Sequence, residues 1–299
     1  MRRGGWALAL LGPATFVFAA QVFAQATAGP TLQRIKQSGV VRIGYRENAA
    51  PFSFMSAAGS PQGYSIELCQ AIVDEIAGTL GTRPRVEYRL VTPTNRIDQV
   101  VAGRVDLECG STTISQERGG RVAFSPIIFA AGTRLLVKRG SAIHSLRDLE
   151  GRTVAGVSGT TNARAMITLG AGRVRNLRIT TADNYDHALA QLGTGAVDAV
   201  AADDILILGL LNERGLRSEY LMVGDALTTD PYGIAYAKGD EALAEDVQKA
   251  FKRLATSGRL RTIYAKWFVQ PLPSGAPIGI PMSAVLEESF RELGLPPAQ

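Results

Sequence analysis

The chain has 299 residues, of which 46% are hydrophobic and 20% charged, enough for two lobes of ordinary size or one large domain with a substantial core. A formal net charge of +5 and a pI near 9.4 invite a nucleic-acid partner. The basic residues are scattered, however, with no lysine–arginine run and no aromatic-interleaved patch, so no nucleic-acid footprint is present and a solvated basic surface is expected.

At the N-terminus, Arg2 and Arg3 precede an apolar stretch from Trp6 to Ala20 that Gly12 and Pro13 interrupt. Small-residue sites follow at Val22-Phe23-Ala24 and Ala24-Gln25-Ala26. This order predicts a secretory signal over residues 1–24, cleaved after Ala24 or Ala26, and a periplasmic mature protein. The short apolar run argues against a retained membrane anchor, and the absence of a nearby cysteine argues against a lipid anchor. No later segment is long and apolar enough to span a bilayer, so no stable membrane insertion is expected after cleavage. Residues 25–31 read as a disordered linker.

From there the pattern alternates. Leu32 to Gln37 reads as a short helix and Val40 to Tyr45 as a strand that delivers Arg46, Glu47 and Asn48. Ser65 can cap a helix with Leu68, Cys69, Ile72, Val73 and Ile76 on one face. A strand near Val86 to Leu90 leads to Thr92-Pro93, which reads as N-cap and first residue of a helix that places Arg96 in its first turn. A short run from Val105 to Cys109 then enters Glu108–Arg118, ECGSTTISQER, with Ser115 as N-cap and Arg118 in the first turn. Hydroxyls, backbone N–H groups and a guanidinium at a strand's carboxyl end suit a small anion. The two cysteines, Cys69 and Cys109, fall in the same unit. Export to an oxidising compartment favours a disulfide, although two buried thiols would give the same pattern.

A second unit begins after Gly132. Its strands are expected at Leu135 to Lys138, Thr153 to Val157, Leu177 to Thr180, Val197 to Ala201 and Tyr220 to Val223. Ser158-Gly159-Thr160-Thr161 opens one helix, Tyr185 begins another, and Asp203-Asp204 a third. After Asp230-Pro231-Tyr232-Gly233 come a strand, a long helix from Glu241 to Ser257, a helix ending at Trp267-Phe268, and an amphipathic helix from Ser283 to Leu293. The alternation predicts an α/β fold with largely parallel sheets, whose ligands bind beyond the strands' carboxyl ends.

Several segments taken in order carry a resemblance: YRENAAPFSF (45–54), GYSIEL (63–68), TNRI (94–97), DLECGSTTISQER (106–118), SGTT (158–161), ADD (202–204), YGIAYAKGD (232–240) and KWF (266–268). Together they resemble the periplasmic polar-amino-acid-binding proteins of ABC importers, the solute-binding proteins of family 3, and most closely the glutamate/aspartate branch. The resemblance covers essentially the whole mature chain. It implies a two-lobed type II periplasmic binding fold, with lobe 1 at residues 31–130 plus 233–299 and lobe 2 at 134–227. Two crossovers, Phe129 to Thr133 and Thr228 to Tyr232, would form the hinge on which the lobes close. The expected partners are a small amino-acid ligand and ABC permease subunits, with the protein a monomer and no cofactor required.

An α-amino acid needs one cationic and one anionic partner. Arg118, Thr113 and the N–H groups around Thr161 can hold the α-carboxylate, and the residue matching Arg118 has that role in the resembled family. Asp203 and Ser111 can take the α-ammonium. Arg46 and Arg96 match residues that contact the side-chain carboxylate, so an acidic amino acid is expected. As plain surface residues, Arg46 would pair with Glu47, and Arg96 with Asp98 or Glu108. Pro93 and Tyr185 depart from the branch, which has serine and histidine there; tyrosine can still donate a hydrogen bond, and proline cannot.

Catalysis by a nucleophilic triad lacks a base near ECGSTT, since the histidines, His144 and His187, sit in polar helix-edge contexts. No metal-ligand spacing, P-loop or Rossmann fingerprint is present. Two alternatives remain on the same fold: an exported dehydratase acting on a cyclic dienyl acid, with Asp203 or Asp204 as general acid, and a sensory module that presents an amino acid to a receptor.

Overall fold

The computed structural model describes Met1 and residues 29–170, 173–272 and 277–297. The expected leader, its cleavage sites and residues 25–28 of the expected linker lie outside the described residues. The far end of that linker is helical instead: Pro30–Ser38 is a helix with proline in its first turn. Leu32 and Ile35 anchor it in the core, and Thr31 N–H donates to Asp240 Oδ2 at 3.0 Å.

Two five-stranded sheets dominate the molecule. The first runs in the order Arg85–Leu90, Val40–Tyr45, Leu107–Glu108, Ala235–Ala237, Val122–Phe124. The second runs Arg178–Ala182, Thr153–Val157, Ala199–Asp203, Thr133–Lys138, Tyr220–Val223. Both are largely parallel, as expected, with four of the five strands in each running the same way. In each, the first three strands are parallel and the last two pairings antiparallel. The reason lies in the crossovers: Thr133–Lys138 enters the second sheet from one, and Ala235–Ala237 returns to the first sheet from the other, each against its neighbours. The crossovers themselves pair antiparallel, Asp230 opposite Ala131 and Tyr232 opposite Phe129.

The first sheet is backed by the helix Tyr64–Leu80, whose Leu68, Cys69, Ile72, Val73 and Ile76 are buried. Ser65 does not cap it. The N-cap is Gly63, at φ 133°, where a Cβ would lie 2.3 Å from the Phe52 carbonyl oxygen. Ser65 instead lies one residue inside the helix and donates to the Gly110 carbonyl at 2.7 Å. The same helix is bonded to the loop through Cys69–Cys109, S–S 2.02 Å. Thr92-Pro93 also fails to open a helix, which begins at Arg96. Asn95 Oδ1 accepts from Thr92 N–H and Thr92 Oγ1 from Asn95 N–H, closing a turn in place of helical bonds.

An aromatic cluster carries the crossovers on the first sheet's side. Phe52 meets Tyr232 at 5.1 Å and Phe129 at 5.2 Å between centroids, and Phe129 stacks on Phe268 at 4.8 Å. Phe268 of KWF is therefore fully buried beneath the strand pair. The tail helix Ala284–Glu292 packs through Leu286 and Phe290, with Ser283 capping it.

Candidate functional site

The site residues come from the carboxyl ends of strands in both sheets. Tyr45 ends a strand and hands over Arg46, whose N–H donates to Ser53 Oγ at 2.9 Å. Arg96 opens its helix and donates through Nη1 to the Ser111 carbonyl at 3.0 Å. Both side chains are 3% exposed, which excludes the surface pairing considered for them. Glu47 is exposed, and Asp98 pairs with Arg121 at 2.6 Å.

After Leu107–Glu108 the chain turns through Gly110, and Ser111, Thr112 and Thr113 are all buried. Ser115 caps the one-turn helix Gln116–Gly119 by accepting from Arg118 N–H. That turns Arg118 back over the loop: Nη1 donates to the Thr113 carbonyl at 2.9 Å, and Nη2 to the Gly159 carbonyl at 3.2 Å. Gly159 follows a strand of the second sheet, so this guanidinium bridges the two halves. Thr113 and Thr161 meet across the same seam, Oγ1 to Oγ1 at 3.1 Å. Asn48 Nδ2 reaches Asp186 Oδ2 at 3.3 Å, and Arg164 pairs with Glu117. The cleft is closed.

From the second sheet, Asp203 is buried at the end of Ala199–Asp203 and accepts from Asn162 Nδ2 at 2.9 Å. Tyr185 is buried at the start of Tyr185–Thr194. Asp203, Arg46 and Arg96 all bear on its hydroxyl, so it stands between the acidic and the basic pole. The structure thus brings Arg46, Arg96, Ser111, Thr113, Arg118, Thr161, Tyr185 and Asp203 to one cleft. Pro93 is buried at its edge, with its backbone against Gly159. His144 and His187 are exposed.

Electrostatically the cleft has two poles. Burial, then the neighbouring Arg96, lower the Arg46 pKa to about 10; the same two causes lower Arg118 to about 10. Both remain cations at neutral pH. Burial, then Asp230, raise Asp203 to about 7. Among the described residues no ion pair within 4.0 Å involves Arg46, Arg96, Arg118 or Asp203.

Four residues that sequence reasoning did not place at the site also converge there. Glu108 is fully buried; Oε2 accepts from Thr112 Oγ1 at 2.6 Å, while Oε1 has no hydrogen-bond partner. Its field acts on both Arg46 and Arg118. Asn162 and Tyr232 each hold a buried oxygen without a well-aligned partner, and Tyr232 sits against Asp203. Asp230 lies on the crossover strand, 4% exposed. Glu108 and Tyr232 fall inside DLECGSTTISQER and YGIAYAKGD, segments that carry the resemblance without giving either residue a role. The others needed the crossovers' placement.

Residues 41–270 match the bacterial extracellular solute-binding proteins, family 3. The chain is 35% identical over 261 residues to an L-glutamate/L-aspartate-binding protein of Pseudomonas aeruginosa, covering 86% of each chain. It is 32% identical over 268 residues to the glutamate/aspartate import solute-binding protein of Escherichia coli, covering 89% of this chain and 87% of the relative. A glutamine-binding protein of Bacillus subtilis is 30% identical over 239 residues, covering 79% of this chain and 84% of that one. Among solved structures, an ancestral amino-acid-binding protein described as a precursor of cyclohexadienyl dehydratase superposes with a TM-score of 0.69 at 29% identity, covering 79% of this chain and 99% of that one. Among the described residues no helix is long and apolar enough to cross a membrane.

Proposed function

Because the chain belongs to the bacterial extracellular solute-binding proteins of family 3 and serves amino-acid ABC transport, we propose that it captures glutamate or aspartate in the periplasm and hands it to permease subunits. In this reading residues 31–130 plus 233–299 form one lobe and 134–227 the other, a leader over 1–24 is removed, and the protein works as a monomer. The observation that carries the acidic ligand is the set of three guanidinium groups, Arg46, Arg96 and Arg118, drawn into one closed cleft with one buried carboxylate, Glu108, in the field of two of them and none at ion-pairing distance. Leaving desolvated charge uncompensated is costly, so the cleft favours a guest with surplus negative charge.

The residues divide accordingly. Arg118, Thr113 and the helix start at Thr161 take the α-carboxylate, and Asp203 with Ser111 takes the α-ammonium. Arg46, Arg96 and the Tyr185 hydroxyl take the distal carboxylate. Charge-assisted hydrogen bonds are each worth about 1.5–3 kcal/mol, so glutamate or aspartate should bind about tenfold or more tightly than glutamine. Calorimetry with the three ligands tests this. Equal or tighter binding of glutamine would overturn the acidic reading.

One observation favours a second reading. A carboxyl that ionises near 7 is a proton donor at neutral pH, and one structural neighbour is described as a dehydratase precursor. Release of an aromatic product from prephenate or arogenate would establish that enzyme. No turnover with saturating protein would exclude it.

A further inference from the structure

One buried carboxylate at the basic pole has no part in the division of roles above. Glu108 ends the strand Leu107–Glu108 and is fully buried. It pairs with Gly44 on one side and Ala235 on the other, so neither neighbour has a side chain large enough to crowd it. Its Oε2 accepts from Thr112 Oγ1 at 2.6 Å, while its Oε1 has no hydrogen-bond partner. That orphan oxygen lies against Gly110, where a Cβ would stand 2.4 Å from Oε1 and 3.2 Å from Arg46 Cγ. Glycine at 110 therefore lets the carboxylate and the Arg46 stem close on one point, which alanine would not.

The loop from 108 to 113 collects all three guanidinium-bearing side chains of the pole. Arg46 packs on Gly110, Arg96 Nη1 donates to the Ser111 carbonyl, and Arg118 Nη1 donates to the Thr113 carbonyl. These contacts, and those of Glu108, are all made within the half built on the first sheet. The field of Glu108 reaches both Arg46 and Arg118. Glu117, the other carboxylate bearing on Arg118, is exposed and engaged by Arg164. Asp106, buried two residues before Glu108, is taken by Arg34 and Arg42.

A hydrogen bond from Thr112 does not account for a charged group here. Glutamine would fill the same space and accept the same bond without the cost of desolvating a carboxylate. What the carboxylate adds is charge. Three guanidinium groups with one carboxylate beneath them leave a surplus of two, which the two carboxylates of an acidic amino acid match. We propose that Glu108 is a specificity-determining residue: by offsetting one guanidinium from beneath the loop, it sets the side-chain charge of the guest at a single negative unit. The inference rests on the acidic ligand proposed above. Neutralising Glu108 should make the cleft more demanding of negative charge, not less.

Two variants separate charge from structure. Glu108→Gln keeps the shape and the Thr112 bond, whereas Thr112→Val removes that bond and keeps the charge. Calorimetry of the full chain with L-glutamate and L-glutamine, which differ in side-chain charge and little in size, gives a ratio of affinities for each protein. Glu108→Gln should raise the ratio in favour of glutamate by about tenfold or more, and Thr112→Val should leave it within about twofold of wild type even where both affinities fall. A ratio unmoved by Glu108→Gln, or moved as far by Thr112→Val, would overturn the inference, since a merely structural role alters both affinities alike. The wild-type ratio tests the acidic ligand separately. A wild type that prefers glutamine refutes that reading, while a shift toward glutamate in Glu108→Gln still upholds the charge role. Should Glu108→Gln not fold, wild type decides with the phosphonate analogue of L-glutamate, whose side chain takes a second negative charge between about pH 5 and about pH 9. Its affinity relative to L-glutamate should fall across that range, and a constant or rising ratio would overturn the inference. Should neither amino acid bind, thermal shifts in sodium sulfate against sodium chloride of equal ionic strength decide. Glu108→Gln should gain more from sulfate than wild type does, and an equal gain would overturn the charge role.

Discussion

Arg118 makes the seam and the site the same object. Its guanidinium holds the Thr113 carbonyl on one side and the Gly159 carbonyl on the other, so its removal takes away a cross-cleft contact together with the proposed α-carboxylate contact. Arg118→Ala should abolish measurable binding by calorimetry, and Arg118→Lys, which keeps the charge but loses the planar fork, should recover only part of it. Asp203 makes the opposite kind of prediction. Its carboxyl ionises near 7 in the fold against an ordinary 3.8, so between those values the native state holds a proton that the unfolded chain has lost. Protein that holds this closed arrangement should therefore lose stability as pH rises through that window. Asp203→Asn should remove the slope, while eliminating binding. Urea melts from pH 5 to 8 measure the first effect. A flat wild-type profile would show that the acid is not held protonated.

The ECGSTT loop owes its position to the helix behind it. Tyr64–Leu80 grips the loop through Ser65 Oγ on the Gly110 carbonyl and through the Cys69–Cys109 bridge, which spans 40 residues. Cys69→Ser with Cys109→Ser should cost about 2–5 kcal/mol in denaturant unfolding and should weaken ligand binding. The helix itself was legible, because its apolar positions recur on one face. The Ser65 contact was not, since a serine near a helix start reads as a cap until Gly63 is seen to occupy that place. Arg46, Arg96, Arg118 and Asp203 could be read as candidates because each follows or opens an element at a strand's carboxyl end. Asp230 and Tyr232 stayed hidden because they act from a crossover, where local periodicity says nothing about which sheet a side chain faces. The one reversed strand in each sheet was missed for the same reason: strand alternation does not record the direction in which a long crossover returns.

Closure depends on surfaces that carry no side chain. A Cβ on Gly209 would lie 2.1 Å from the Ala50 carbonyl oxygen, and one on Gly159 would lie 2.7 Å from the Pro93 backbone. Gly209→Val should hold the lobes apart, raising Kd by about tenfold or more while the unliganded Tm shifts little, because the strain falls on the closed arrangement alone. Small-angle scattering should then show no compaction when ligand is added; an unchanged compaction would mean the contact is not needed. Ligand binding to the wild type should raise stability by about 2.7 kcal/mol at a hundredfold excess over Kd, which makes a thermal-shift panel of amino acids a direct survey of cargo.

The antiparallel pairing of Phe129–Ala131 with Asp230–Tyr232 has a mechanical consequence. Bonded side by side and seated on Phe52 and Phe268, the two connections would turn together, which would give the jaws one axis and one stop. Cargo of differing size would alter how often the jaws shut, not the shape they present once shut. Docking machinery would then meet one silhouette, and selection among amino acids would be finished before any encounter at the membrane.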